Sequence, residues 1–155
     1  RSFTLISDGK FKDRLFPIGR LDINTTGILL ITNDGEVTHK LAHPRYEVEK
    51  VYQVMLDKPL STEAQKAIKN GLHLKDGAIT VDKLEIGYTP TSVRITIHSG
   101  RNRIVRRIFE SQGYTVIKLE RIGFAGLNKR GLALGQWRFL NKKEIAQLKK
   151  LTSKK

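Results

Sequence analysis

The stretch Phe16–Gly35, FPIGRLDINTTGILLITNDG, joins a polar turn to an apolar run. Ile28 to Thr32 is short, apolar and rich in β-branched residues, and Asn33-Asp34-Gly35 ends it, which is the pattern of a buried strand. Asp22 lies in the turn just before this run. Loops held by a rigid element are common positions for reactive side chains. The stretch therefore predicts a core strand and a candidate catalytic carboxylate together.

The rest of the chain alternates between short predicted strands and helices. Helical patterns cover residues 3–8 (a short helix or irregular entry), Glu36–Ala42, Thr62–Lys69, Arg103–Gln112 and Asn141–Leu151. Extended patterns cover Phe16–Ile18, Glu47–Asp57, Val81–Tyr88, Ser92–His98, Tyr114–Ile122 and Gln136–Leu140. Predicted caps are Ser61 and Gly71 for the second helix, Asn102 for the third, and an Asn141–Glu144 capping box for the last. Strands outnumber helices and neighbours look antiparallel, so we predict an α+β fold.

Composition says more about partners than about fold. The 155 residues contain 29 Lys and Arg against 15 Asp and Glu, giving a net charge of 29 − 15 = +14. Such an excess favours a polyphosphate partner, because cations release the counterions of a nucleic acid. No cysteine is present, which excludes disulfides, thiolate metal sites and a cysteine nucleophile. The longest apolar run is far too short to span a membrane, and the first residues lack a signal-peptide pattern, so a cytoplasmic location is expected.

A cluster of arginines follows a glycine turn in Ser99–Phe109, SGRNRIVRRIF. Its basic residues are Arg101, Arg103, Arg106 and Arg107, while Ile104, Val105, Ile108 and Phe109 form one apolar stripe. A charge run is most often a solvated face. Arginine is nevertheless preferred where carboxylates or phosphates are bound through planar contacts. One of these arginines could pair with Asp22 while the others hold phosphates.

Asp22 by itself is a weak signal, because a loop aspartate commonly caps its own backbone. Arg20, two residues earlier, adds a cation to the same turn. Lys50 and Tyr52 fall on one face of the strand predicted over Glu47–Asp57. Tyr52 fits a core tyrosine, but a tyrosine can also stack on a nucleic-acid base. Together these residues predict a basic cleft around one acid.

Other chemistries fit the sequence less well. His39 and His43 are four residues apart, but no glutamate base lies between them, so the zinc-protease pattern is missing and no metal site is expected. A metal-dependent nuclease would need clustered acids, and Asp34 and Glu36 do not make such a set with Asp22. A non-catalytic RNA-binding domain explains the charge equally well, yet has no need of Asp22 in a basic cleft.

Several spaced motifs resemble the RsuA/RluB/RluE/RluF family of pseudouridine synthases. They are Gly19-Arg20-Leu21-Asp22, Thr26-Gly27-Ile28-Leu29-Leu30, Thr32-Asn33-Asp34-Gly35, His43-Pro44-Arg45, Glu49-Lys50-Val51-Tyr52, Gly100-Arg101-Asn102-Arg103-Ile104-Val105-Arg106-Arg107 and Leu119-Glu120-Arg121. They follow in the family's order from about residue 14 to residue 140, and together they are far more specific than any one of them. The resemblance implies the pseudouridine synthase fold, a mixed, mainly antiparallel sheet with flanking helices and a central RNA-binding cleft.

The resemblance also implies a reaction and its residues. A uridine in RNA becomes pseudouridine when its N1–C1′ bond breaks, the uracil turns, and it rejoins through C5, without cofactor or metal. Asp22 matches the catalytic aspartate, acting as nucleophile at the ribose or as a base that yields a glycal. Tyr52 matches the tyrosine that stacks on the target base, Arg106 the cation that pairs with the aspartate, and Arg20 the arginine that fills the vacated stack. Further RNA contacts are expected from Lys50, Arg101, Arg103, Arg107 and Arg121.

The sequence departs from the family pattern in two places. The usual S4-type RNA-binding domain is absent from this chain, so residues 1–155 are expected to be the catalytic domain of a longer, N-terminally trimmed protein. Ile104-Val105 also stands where relatives often carry a glutamine before the aliphatic residue. The Gly-Arg-Asn-Arg-x-Val-Arg-Arg segment is closest to the RluB branch, which favours large-subunit over small-subunit ribosomal RNA. The expected partner is ribosomal RNA or a pre-ribosomal particle, bound by a monomer.

Overall fold

The computed structural model describes residues 15–42, 47–101, 103–129 and 131–152, together with the backbone of Ser2–Ile6. The strands of this part of the chain are β1 (Ser2–Ile6), β2 (Phe16–Ile18), β3 (Thr25–Thr32), β4 (Lys50–Leu56), β5 (Leu72–Leu74), β6 (Gly77–Ile79), β7 (Lys83–Ile86), β8 (Ser92–Ile97), β9 (Val116–Phe124) and β10 (Leu127–Asn128). Its helices are α1 (Gly35–Ala42), α2 (Thr62–Asn70), α3 (Ile104–Glu110) and α4 (Lys142–Thr152).

One twisted sheet organises these elements. Its strand order is β1-β3-β9-β4-β8-β7, with β2 paired to β3 and β10 paired to β9. The β1–β3 and β3–β9 pairs are parallel and the other pairs of this sheet are antiparallel. Strands β5 and β6 form a separate small hairpin. The mixed, mainly antiparallel sheet with helices confirms the α+β prediction.

Two hydrophobic clusters fill the space between the sheet and its helices. The first contains residues of α2, α3, β4, β8 and β9, including Ile68, Ile95 and Phe109. The second surrounds the body of β3 and contains residues of α1 and α4, including Leu30 and Leu148. Strands β3 and β9 join the part of the sheet beside the first cluster to the part beside the second. They are paired through only three residue pairs, Thr25–Gly27 with Leu119–Arg121. The turn that carries Asp22 enters β3 at this connection.

Gly27 makes the connection between β3 and β9 possible. It pairs with Arg121, and a Cβ atom at Gly27 would lie 2.2 Å from the Arg121 carbonyl oxygen and 2.5 Å from its nitrogen. Its φ of +127° lies in a region that side chains with a Cβ rarely adopt. Only glycine fits both demands at this position.

Several sequence predictions are confirmed in detail. The Ser61 hydroxyl accepts a hydrogen bond from the Ala64 amide, as an N-cap should, and Gly71 ends α2 with a φ of +98°. At α4, the Asn141 side chain accepts from the Glu144 amide and the Glu144 carboxylate accepts from the Asn141 amide, which is the capping box.

Two segment predictions are wrong. Within residues 3–8 the helix prediction fails, because Ser2–Ile6 is a strand paired in parallel with β3, and a short apolar run does not distinguish the two states. Residues 136–140 form no continuous strand; Trp137 and Phe139 instead make an edge-to-face ring contact at 5.2 Å. The predicted N-cap Asn102 lies outside the described residues, and α3 begins after Arg103, whose φ is +51°.

Candidate active site

A cavity of about 430 Å³ opens beside the connection between β3 and β9. The predicted site residues that line it are Arg20, Asp22, Lys50, Tyr52, Arg101, Arg103 and Arg121. One carboxylate predicted from the sequence, one aromatic ring and several cations therefore meet at one concave surface. Such a convergence of polar groups is typical of a binding or catalytic site.

Asp22 is presented to this cavity by a tight turn. Its carbonyl oxygen accepts a hydrogen bond from the Thr25 amide at 3.0 Å, and the turn leads directly into β3. Asp22 is half-buried, and its carboxylate makes no hydrogen bond within the part of the chain that the structure describes. The side chain is thus not spent on capping its own backbone, and it is available to a bound molecule.

Tyr52 is held by Arg121 from the neighbouring strand. The two residues are partners in the β4–β9 ladder, and the Arg121 guanidinium lies close enough to the Tyr52 hydroxyl to influence its pKa. Burial raises the pKa of Tyr52 above its usual value, Arg121 opposes the rise, and Asp22 adds to it. Tyr52 therefore remains a neutral phenol at physiological pH, with its ring fixed in the cavity wall.

Arg121 ties three strands together behind the cavity. Its Nε and Nη2 atoms donate to the Ile28 carbonyl of β3 at 3.0 and 2.6 Å, and its guanidinium lies 4.7 Å from the Phe124 ring centroid. Burial lowers the pKa of Arg121, and Tyr52 opposes that shift. Only 4% of the surface of Arg121 is exposed, so in this structure it mainly contacts protein groups in the cavity wall, and its contact with RNA stays a prediction.

Lys50 lines the same cavity and lies two residues before Tyr52, on the same face of β4. Its Nζ donates to the carbonyl oxygens of Val48 at 3.2 Å and His98 at 3.4 Å. Burial, with a smaller contribution from the nearby Arg121, lowers the pKa of Lys50 to about 8, and Glu47 opposes this shift. The charge of Lys50 is consequently lost near pH 8, far below the ordinary value for lysine.

Arg106 does not pair with Asp22 in this structure. It is 8% exposed, and its Nη2 donates instead to the carbonyl oxygen of Asn24 at 2.8 Å. Its Nε is buried and has no hydrogen-bond partner, and the same is true of the Thr25 hydroxyl. Arg106, predicted to pair with Asp22, thus binds the backbone of the same turn at Asn24, two residues after Asp22.

Arg101 and Arg107 are directed to the β5–β6 hairpin. Asp76 accepts from Arg107 at 2.9 Å and from Arg101 at 3.2 Å, and Arg101 also donates to the Ala78 carbonyl at 2.7 Å. The pKa of Asp76 lies below its usual value, chiefly because of the hydrogen bond from Arg107. Both arginines, predicted as RNA contacts, therefore have structural partners. Arg20 and Arg103 are exposed at the cavity rim.

The described residues contain no group of three or more histidines, cysteines or acids that could hold a metal ion. His43 falls outside them, so the His39–His43 pair is not described. Among the helices that the structure describes, none is long and apolar enough to cross a membrane.

Comparison with known proteins identifies the family. The family model described as RNA pseudouridylate synthase matches residues 2–111, more than half of the chain. The chain belongs to this family. A curated relative from Bacillus subtilis (strain 168), "Ribosomal large subunit pseudouridine synthase B", is 42% identical over 143 residues, which cover 89% of this chain and 59% of the relative. "Ribosomal small subunit pseudouridine synthase A" of Escherichia coli (strain K12) is 38% identical, with 87% and 59% covered.

Solved structures agree with this membership. A crystal structure described as a pseudouridylate synthase matches with a TM-score of 0.79 and 33% identity, covering 86% of this chain and 59% of that one. An archaeal box H/ACA Nop10–Cbf5 complex matches at a TM-score of 0.56 and 14% identity, a likeness of fold alone. The pseudouridine synthase fold predicted from the motifs is confirmed. The chain spans about three-fifths of the length of these two curated relatives.

Sequence reasoning missed two features of this site. The pairing of Arg121 with Tyr52 depends on the β4–β9 register, which the sequence does not give. The link from Asp76 to Arg101 and Arg107 joins residues 25 and 31 positions apart. The available signal was the dipeptide Asp76-Gly77, which is typical of a turn and places an acid at the surface, but nothing in the sequence links it to the arginine cluster.

Proposed function

We propose that this chain isomerises a specific uridine of large-subunit ribosomal RNA to pseudouridine. The observation that carries the proposal is the meeting of Asp22 and Tyr52 in one cavity rimmed by cations. The relative at 42% identity is described as acting on the large subunit, which favours that substrate. The cations of the rim and a net charge of +14 suit an RNA partner. We further propose action as a monomer in the cytoplasm, where ribosomal RNA resides, because one chain supplies the cavity lining.

The proposed reaction begins with extrusion of the uridine from its stack. Unstacking costs a few kcal/mol, which an aromatic surface and a cation at the vacated position can offset. Tyr52 supplies the aromatic surface, and Arg20 lies on the exposed turn next to Asp22. The Asp22 carboxylate then acts at the ribose, either as nucleophile at C1′ or as base at C2′. The N1–C1′ bond breaks, the C5–C1′ bond forms, and the proton leaves C5 while N1 gains one.

Arg106 has a place in this proposal although it binds Asn24 in the structure. The Nε of Arg106 is a donor without an acceptor. The carboxylate of Asp22, two residues before the Asn24 that Arg106 already contacts, is a suitable acceptor. We propose that the turn shifts when RNA binds, and that Arg106 then pairs with Asp22 and keeps it ionised.

The substrate is tested with transcripts that carry tritium at C5 of uridine. Isomerisation replaces the C5–H bond with C5–C1′, so tritium enters water once for each pseudouridine made. We expect release from the large-subunit transcript at one mapped site and none from the small-subunit transcript. Release from the small-subunit transcript alone would favour the function of the relative at 38% identity. Binding of both without release would support the non-catalytic RNA-binding reading.

Lys50 gives the proposal a pH dependence. The folded chain loses the Lys50 proton near pH 8, so affinity for RNA should fall as pH rises from 7 to 9. The Lys50→Arg variant keeps its charge over this range and should bind with little change. Filter binding of the large-subunit transcript measures both affinities. At pH 7, Lys50→Gln should reduce the slope of log affinity against log salt concentration by about 1, because one phosphate contact is lost. Equal pH profiles for wild type and Lys50→Arg would exclude this role.

Folding stability should respond to Lys50 with a defined sign. Burial depresses the pKa of Lys50 in the folded chain to about 8 from its ordinary value of 10.5, so between these two values the unfolded chain binds more protons. The unfavourable contribution of the charged, buried Lys50 is fully present below pH 8 and is lost as pH approaches 10.5. The difference in unfolding free energy between wild type and Lys50→Met should accordingly shrink over that window.

Arg121 is predicted to act on the reaction through Tyr52. Lysine cannot reproduce the planar contacts of Arg121, so Arg121→Lys should lower kcat about tenfold, or about 1.4 kcal/mol, with KM nearly unchanged. Tyr52→Phe keeps the ring but removes the hydroxyl that Arg121 contacts. If Arg121 works through that hydroxyl, the loss should be much smaller in the Tyr52→Phe background. Tritium-release kinetics measure the cycle, and losses that simply multiply would show independent roles.

A further inference from the structure

One carboxylate oxygen of the β5–β6 hairpin lies between two arginines. Asp76 stands in the two-residue turn that joins β5 to β6, and its Oδ1 accepts from Arg101 Nη1 at 3.2 Å and from Arg107 Nη1 at 2.9 Å. Its Oδ2 makes no hydrogen bond with the part of the chain that the structure describes. Two guanidinium donors that converge on one oxygen suit any anion, and a phosphate oxygen would make the same two contacts. We call this place the anion position.

The hairpin backbone holds Arg101 in place without help from the Asp76 carboxylate. Arg101 Nη1 also donates to the carbonyl oxygens of Asp76 and Gly77, at 3.2 and 3.3 Å. Its Nη2 donates to the Ala78 carbonyl at 2.7 Å, and its Nε donates to the Ser99 hydroxyl at 3.4 Å. These neutral oxygens satisfy the donors but carry no charge, so the guanidinium stays fixed and cationic when the carboxylate leaves.

The Asp76 carboxylate is the part of this cluster that moves most easily. The Asp76 side chain is 46% exposed, whereas those of Arg101 and Arg107 are 25% and 30% exposed. An ion pair this close to solvent contributes little to stability. Rotation of the Asp76 side chain into solvent would therefore open the anion position at small cost. Because the two guanidinium groups repel each other, another anion is then favoured in its place.

The anion position lies beside the active-site cavity and on the same face of the sheet. Arg101 lines that cavity, and Arg103 is exposed at its rim. Leu72 and Leu74 of the hairpin pack against the same hydrophobic cluster as Tyr52. RNA with its target nucleotide in the cavity would thus bring phosphates to this margin without crossing the sheet.

We propose that Asp76 holds the place of an RNA phosphate. In the free protein its carboxylate occupies the anion position and balances Arg101 and Arg107, and a phosphate of bound RNA replaces it there. This inference rests on the proposed function and deepens it, because it identifies an internal acid that competes with the proposed substrate for two of its cations.

Neutralising the acid tests the proposal. Asp76→Asn keeps an acceptor oxygen for both arginines but removes the competing charge, so affinity for the large-subunit ribosomal RNA transcript should rise about fivefold in filter binding. The slope of log affinity against log salt concentration should steepen by about 1, because the unbalanced arginines then hold a counterion that RNA releases. Asp76→Ser should show the same gain, since serine also suits an exposed turn.

Glu110→Gln is the matched control. It removes one exposed acid from α3, the helix that carries Arg107, and Glu110 makes no ion pair among the described residues. Its affinity for the transcript and its salt slope should stay near those of the wild type. A gain equal to that of Asp76→Asn would show that any lost acid has this effect and would overturn the proposal.

The gain should also depend on Arg107. Arg107→Gln removes one donor of the anion position, so Asp76→Asn should raise affinity by less than about twofold in that background. Equal gains in both backgrounds would show that Asp76 repels RNA from a distance, which contradicts the proposal. An unchanged or lowered affinity of Asp76→Asn, with thermal unfolding confirming a folded chain, would assign Asp76 to the structure of the turn alone.

Tritium release separates this inference from the proposed function. Release by the wild type, together with an unchanged affinity of Asp76→Asn, would overturn the inference alone. No release by the wild type, with the affinity gain and its dependence on Arg107 both present, would overturn the proposed function and leave an RNA-binding domain in which Asp76 competes with phosphate.

Discussion

The Asp22→Asn variant is expected to lose pseudouridine formation by at least about 1,000-fold, because the amide is neither a useful nucleophile nor a base. Asparagine has almost the same shape, and the Asp22 carbonyl still accepts from Thr25, so the turn should persist. RNA binding should be retained, or slightly strengthened, because a negative charge leaves a basic cavity. Tritium release measures the loss, and filter binding measures the affinity.

The matched control for this variant is Glu110→Gln, which neutralises an exposed acid on α3 that does not line the active-site cavity. Its activity should stay close to that of the wild type. A general acid or base contributes at least about 100-fold to the rate. If Asp22→Asn retained more than about a tenth of the activity, Asp22 would therefore not be the catalytic group. Loss of RNA affinity in step with activity would instead assign Asp22 to binding.

The Gly27→Ala variant should be the most destabilised single substitution in the catalytic region. Its Cβ would lie 2.2 Å from the Arg121 carbonyl oxygen, a backbone atom that cannot move without separating β3 from β9. Overpacking costs about 1–3 kcal/mol, and the positive φ adds about 1–3 kcal/mol. The total of about 2–6 kcal/mol is a large part of the about 5–15 kcal/mol by which folded domains are stable. Urea unfolding followed by circular dichroism measures the change.

Gly113→Ala separates the two contributions to this loss. Gly113 also has a positive φ, +86°, but nothing lies within 4 Å of its Cβ position. Its substitution should cost about 1 kcal/mol, from backbone strain alone. Similar losses for both variants would show that the close approach of Gly27 to Arg121 is not what limits stability.

The main features of the site could be predicted from local sequence. Alternation along Glu47–Asp57 placed Lys50 and Tyr52 on one face, and both line the cavity because β4 keeps that alternation. The turn residues placed Asp22 ahead of a buried strand, and β3 follows it. These predictions depend on residues close in sequence, for which periodicity and turn chemistry are direct physical signals.

The partners of the arginines could not be predicted, because residue type does not specify them. Arg101 and Arg107 bind Asp76, while Arg121 binds Ile28 and Tyr52, through contacts between elements distant in sequence. A guanidinium suits an RNA phosphate and a protein carboxylate equally well. The strand at Ser2–Ile6 was missed for a similar reason, since it forms by pairing with β3 rather than by local propensity.

The short ladder between β3 and β9 also affects how the chain opens. Three residue pairs join these strands, against six in the β4–β8 ladder, so the seam between the hydrophobic clusters should separate at a lower free energy than either cluster unfolds. Amide hydrogens of Thr25, Thr26 and Gly27 would then exchange faster than those of β4. Thr25 of β3 and Leu119 of β9 both line the active-site cavity, so RNA bound there would contact both strands and should slow this exchange.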